Sequence, residues 1–160
     1  MSDGQDFIEV LSSEDELGMI IRAHIHIESR LNGIFDVVLM DSSYIDRMNL
    51  DFHQKVKLAI ACGLHQRFEK PLKNLGTLRN NFAHKLGTKI TKNEVDSLYS
   101  CFNGEDKKVM QDSYKNAKKK LGYKGASSMN KLDPKQKLKL ILASLNRIIL
   151  GAVDEIRQGH

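Results

Sequence analysis

The run Asp133-Pro134-Lys135-Gln136-Lys137-Leu138-Lys139-Leu140-Ile141-Leu142-Ala143-Ser144-Leu145-Asn146-Arg147-Ile148-Ile149 reads as a helix from its first residue. Asp133 is an N-cap type, and Pro134 suits the first helical position, where an N–H would be unused. Leu138, Ile141, Leu142, Leu145, Ile148, Ile149, Ala152 and Ile156 keep the three-four spacing of one buried face, which carries the helix to about residue 158. Lys139, Asn146 and Arg147 interrupt the apolar region over 138–153, so no membrane span is expected. A long amphipathic helix of this kind needs other helices to cover its stripe.

The same signals supply those helices. Ser13-x-x-Glu16 forms a capping box opening a long helix over 14–39, with a stripe through Leu17, Ile20, Ile21, Ile27, Leu31, Ile34, Phe35 and Val38. A second, over 51–62, turns Phe52, Val56, Ala59 and Ile60 inward and stops at Gly63 as its C-cap. A third, over 64–85, carries Phe68, Leu72, Leu75, Leu78 and Phe82, and Pro71 predicts a separate or kinked first turn. Thr91-x-x-Glu94 starts a short helix through Phe102 that ends at Asn103-Gly104. No strand pattern and no internal repeat emerges. The expected fold is all-α, one domain over residues 1–160 built as a bundle of about five helices. Its core lies at about 14–103, and a C-terminal helix at about 134–158 is joined to it by a lysine-rich connection at about 105–132.

Composition supports this. A chain of 160 residues buries a core without staples, and 41% hydrophobic residues with only two prolines suit helices. The acidic stretch 1–16 lacks the basic segment of a signal peptide. Cys62 and Cys101 make no disulfide framework, so a cytoplasmic protein with reduced thiols is expected. Charge is unevenly placed. Residues 107–139 hold eleven lysines against Asp112 and Asp133, a net +9, which leaves −4 for the rest of a chain totalling +5. Lys118, Lys119, Lys120 and Lys124, with Tyr114 and Tyr123 nearby, form a basic patch with interleaved aromatics that suits phosphates and stacked bases. The same segment, with Gly122, Gly125, Ser127 and Ser128, also reads as a solvated connection. The two readings are compatible.

The chemistry concentrates in Arg79-Asn80-Asn81-Phe82-Ala83-His84. A permanent cation, a carboxamide and an imidazole fall within six positions at the end of the third helix. Asn80 and His84 are four apart and share a helix face. Arg79 and His84 are five apart, roughly 140° around the axis. Either the helix ends near Ala83 and releases His84, or a twofold dimer brings two copies of the motif together. Elsewhere, His24 lies at the edge of a core stripe four before Glu28 and reads as a hydrogen-bonded helix histidine. Cys62-Gly63-Leu64-His65 has ligand-like spacing but lacks the second pair of a structural zinc site. No metal and no cofactor is expected.

This segment resembles the Arg-x4-His signature of the HEPN superfamily, helical proteins common among prokaryotic toxins and defence ribonucleases, in which Asn often follows the Arg. The stretch 52–86, with Phe52, Val56-Lys57-Leu58-Ala59, Gly63-Leu64 and Leu78 to His84, is also similar to proteins related to the mannitol operon repressor. The resemblance covers roughly residues 14–103. It implies a metal-independent RNA endonuclease of toxin or defence type, cleaving by attack of the 2′-hydroxyl, with a site built across a homodimer. Arg79 would bind the phosphate, Asn80 would orient or bond, and His84 would transfer a proton. Lys118, Lys119, Lys120 and Lys124 are expected to hold the RNA backbone, and an antitoxin or regulatory protein is a further partner. Many toxin members carry a Tyr two residues after the His; this chain has Leu86 there, which departs from pairing with a nucleotidyltransferase antitoxin. The alternative is a non-enzymatic regulatory dimer resembling the mannitol operon repressor, acting by protein interaction.

Overall fold

A computed structural model describes residues 15–85, 87–120 and 124–160, Lys120 by its backbone alone. The order is α1 (Glu16–Val38), α2 (Ser43–Met48), α3 (Phe52–Ala61), a 3-10 turn (Gln66–Phe68), α4 (Glu69–Ala83), α5 (Lys92–Ser100), α6 (Gly104–Lys120), a second 3-10 turn (Met129–Lys131) and α7 (Pro134–Gly159). The described residues contain no strand, so the fold is all-α, with seven α-helices where the sequence suggests about five. No described helix is long and apolar enough to cross a membrane.

The two long helices, α1 and α7, form the central pair. Ile20, Ala23, Ile27, Leu31, Ile34 and Phe35 of α1 are buried in one core with Leu138, Ile141, Leu142, Leu145, Ile149 and Val153 of α7. Ile148, Ala152 and Ile156 only shoulder this core, because the α7 stripe turns through Val153 instead. Helices α3 and α4 pack on α1, while α5 and α6 pack on α7. Phe68, Leu72, Leu75, Leu78 and Phe82, the whole expected stripe of the motif helix, are buried within the chain. That stripe is therefore spent on the chain's own core and offers no free apolar surface.

Local punctuation explains the boundaries. Asp51 and Thr91 each close a reciprocal capping box, with Gln54 and Glu94, and Asp133 accepts from the Gln136 N–H ahead of Pro134. Gly63, at φ 121°, ends α3 in a conformation that side chains avoid. The Gly63 and Leu64 N–H groups then donate to the Ile60 and Ala59 carbonyls. Pro71 stands third in α4, where its missing N–H is unneeded; the separate turn is the 3-10 segment before it.

Three boundaries differ from the sequence reading. Asp15 caps α1 through the Gly18 N–H, two residues after the expected Ser13 cap, which lies outside the described residues. The short α2 carries no periodic apolar pattern to announce it. The lysine-rich connection contains α6, started by Asn103, whose carboxamide oxygen accepts from the Asp106 N–H instead of merely ending the previous helix. Asp106, Met110 and Tyr114 at four-residue spacing are the buried edge of α6, a stripe too thin to read among its lysines.

Two polar clasps hold the outer helices. Arg67 Nε donates to Asp106 Oδ2 at 3.2 Å, tying α6 to the start of α4. Lys137, 6% exposed, reaches Asp96 at 2.8 Å and Asn130 at 3.3 Å and lies 4.8 Å above the Tyr99 ring. These two bonds and the ring face replace the water lost by its ammonium.

Leu145→Ala should cost about 2–5 kcal/mol in urea unfolding, because it removes a fully buried side chain from the central pair. Ile25→Ala, on the exposed face of α1, should stay within about 0.5 kcal/mol.

Candidate functional site

The middle of α4 lacks a side chain at Gly76, and α3 comes close there. A Cβ at Gly76 would meet His53 Nε2 at 2.8 Å and Phe52 Cδ1 at 3.0 Å. Asp51 fixes the approach by capping α3, which places Phe52 and His53 in the first turn, over α4. Helix α1 closes the third side with His24 and Glu28, one turn apart. The result is a cavity of about 320 Å³ between α1, α3 and α4, with Leu50 and Asp51 at one side and Arg79 and Asn80 of α4 at the other.

Its polar groups are arranged in a chain. Lys55 Nζ donates to Glu28 Oε1 at 2.8 Å, and Glu28 Oε2 stands 4.0 Å from His24 Nδ1. The His24 ring, 12% exposed, lies against Phe52 with centroids 4.1 Å apart. Burial pushes the His24 imidazole below its ordinary pKa; Glu28 opposes this, while Arg79 and His53 add to it. His53 Nε2 is buried and has no hydrogen-bond partner among the described residues. Arg79 is exposed, and its Nη1 donates to Asn80 Oδ1 at 3.2 Å, which holds the two side chains together at the surface. A cation, a carboxamide and two imidazoles thus share one cavity with the carboxylates of Glu28, paired to Lys55, and Asp51, engaged as a cap. Arg79 can bind a phosphate and an imidazole can move a proton beside it.

The structure divides the expected site residues. Arg79 and Asn80 line the cavity; His84, the C-cap of α4 at φ −99°, is exposed beyond it and does not. The helix does end at Ala83, as one of the two geometric routes requires, yet this alone does not gather His84 with Arg79. His24, Glu28 and His53 are the residues the linear reading did not join to Arg79. The signal was Gly76 itself, a glycine inside a helical pattern, which marks close backbone approach.

Elsewhere, Lys118 donates to the Ala126 carbonyl at 3.1 Å, and Tyr114, buried, donates to the same oxygen at 2.6 Å. Tyr114 is therefore a packing residue and offers no face to a base. Lys119 and Lys124 are exposed, whereas the Lys120 side chain, Tyr123 and Leu86 fall outside the described residues. His65 Nδ1 accepts from the Arg67 N–H at 3.0 Å, and no cluster of three metal-ligating side chains occurs among the described residues. Burial raises both cysteine thiols, so neither is poised as a thiolate.

No protein-family model matches this sequence, and no curated protein or solved structure matches it either.

The downward shift of the His24 pKa predicts a pH dependence of stability. The unfolded chain accepts a proton that the folded site resists, so this contribution is intact above about pH 6.5 and is lost as pH falls below it. Urea midpoints should decline between about pH 7 and about pH 5, and His24→Gln should reduce that decline. His26, also lowered by burial and then by Arg30 and Arg22, contributes a separate part that His26→Gln isolates.

Proposed function

We propose that this chain is a metal-independent RNA endonuclease of the toxin or defence type, acting in the cytoplasm as a twofold homodimer. The observation that carries the reading is the cavity shared by Arg79 and Asn80 with two imidazoles, on the helix whose C-cap is His84. RNA carries its own nucleophile, so the protein has only to position the phosphate, stabilise its charge and transfer protons. Arg79 makes two hydrogen bonds to the phosphate oxygens as negative charge builds there. Asn80, already bonded to Arg79, keeps the guanidinium fork aimed or bonds the phosphate itself. His84 serves one of the two proton transfers. Because His84 lies outside the cavity of its own chain, the reading places His84 of a second copy beside Arg79. The products are a 2′,3′-cyclic phosphate and a free 5′-hydroxyl. Lys119 and Lys124, exposed, hold the RNA backbone, with Lys118 and Lys120 beside them on the sequence.

A second reading rests on a different surface. Met40, Tyr44 and Met48, around α2, are exposed large side chains, with Arg47 4.8 Å above the Tyr44 ring. Such a patch suits a protein partner, as in a non-enzymatic regulatory dimer or a complex with an antitoxin.

RNA cleavage decides between the two. His84→Ala should lose about 10²-fold or more in rate, the usual range for proton transfer. Arg79→Ala should lose about 10²–10³-fold, and Arg79→Lys should not rescue it, since an ammonium cannot make the forked contact. Both variants should stay folded, because both residues are exposed. Mixing the two inactive variants should restore cleavage, as a mixed dimer contains one intact composite site. Cleavage should survive EDTA. A requirement for magnesium, or full activity in His84→Ala, would transfer the reading to the regulatory dimer.

RNA affinity should fall with salt, with a slope of about −0.7 per phosphate contacted. Replacing Lys118, Lys119, Lys120 and Lys124 with Gln should flatten the slope and weaken all sequences alike. An unchanged slope would return this segment to a structural role.

A further inference from the structure

Cleavage through the 2′-hydroxyl needs a group that accepts a proton and a group that donates one, and the Arg-x4-His pattern supplies a single imidazole. The cavity supplies another. We propose that His24 of α1 is the proton acceptor for the 2′-hydroxyl, working beside the phosphate that Arg79 holds; this rests on the ribonuclease reading.

Three observations support it. His24 comes from a different helix than Arg79, yet the two line the same cavity, close enough for the Arg79 charge to act on the imidazole. Glu28, anchored by Lys55 at 2.8 Å, stands 4.0 Å from His24 Nδ1. A carboxylate on that side favours the tautomer with the proton on Nδ1 and leaves Nε2 as the accepting nitrogen. The gap is longer than a hydrogen bond, as is common before substrate binds. Finally, the ring is packed on Phe52 and largely shielded from water, which fixes its plane and keeps it neutral. His53, the other imidazole, has its Nε2 buried against Gly76 and forms the wall.

In the step, the 2′-oxygen attacks phosphorus and forms the 2′-O–P bond while the P–5′-O bond breaks. His24 Nε2 takes the 2′-hydroxyl proton, and His84 of a second copy gives one to the departing 5′-oxygen. The charged and titratable groups around His24 are Glu28 on its own helix, Arg79 on α4, and His53, Lys55 and Asp51 on or capping α3. Glu28 favours the protonated ring; Arg79, His53 and burial disfavour it.

The test is cleavage of an RNA oligonucleotide by the full chain across a pH series, for wild type, His24→Gln and Glu28→Gln. Wild type should lose kcat as pH falls and the acceptor becomes protonated. His24→Gln should lose about 10²-fold in kcat with little change in KM, and its residual rate should lack that acid limb. Glu28→Gln should move the limb to lower pH, because the carboxylate that favours the proton is gone. If His24→Gln does not fold, as judged by circular dichroism, the Glu28→Gln shift decides. Full activity in His24→Gln, an acid limb that survives in it, or an unmoved limb in Glu28→Gln would overturn the role of His24 and leave the ribonuclease reading standing. A wild-type chain that cleaves no RNA would remove both.

Discussion

The packing of α1 against α7 is the contact on which the other helices depend. Their two stripes form the middle of the core, and each helix then lends its shoulders to a different set of neighbours. Helix α1 receives α3 and α4 on one side, whereas α7 receives α5 and α6 on the other. The division has a functional side. His24 and Glu28 sit where the apolar stripe of α1 gives way to the α3–α4 side, so the position of the cavity follows from the rotation of one helix about its axis. A shift of that helix by one residue would turn the imidazole by about 100° and dissolve the site.

How much of this the chain announces depends on the range of the interaction. Caps are local, and Asp51, Thr91 and Asp133 sit where side-chain chemistry requires them. The stripe of α4 was equally legible, since five large apolar residues at helical spacing leave little choice. Helix α6 was not, because lysines outnumber its buried positions and a thin stripe looks like a solvated linker. The site was half legible. Arg79 and Asn80 stand out as neighbours in sequence, but their meeting with His24 depends on how three helices cross, which no single periodicity encodes. The Glu28–Lys55 pair is of the same kind, since its members are 27 positions apart.

Charge tells a related story. The basic excess of residues 107–139 looks uniform in sequence, yet its members have different duties. Lys137 is buried as a clasp between α5 and α7, Lys107 lies 5.4 Å above the Tyr99 ring, and Lys118 holds the Ala126 carbonyl. The exposed remainder is what a polyanion would meet. Net charge therefore overstates the free basic surface, because part of the lysine count is engaged within the fold.

Gly76 carries a consequence for how the chain tolerates change. A glycine within a helix costs about 1 kcal/mol relative to alanine, so helix propensity alone would favour Ala there. The methyl group would displace the His53 ring and crowd Phe52, the wall of the cavity. Helix propensity and packing pull this position in opposite directions, and overpacking typically costs about 1–3 kcal/mol, at least as much as the propensity gain. A library selected for heat resistance would therefore keep the glycine, as would one selected for the shape of the pocket.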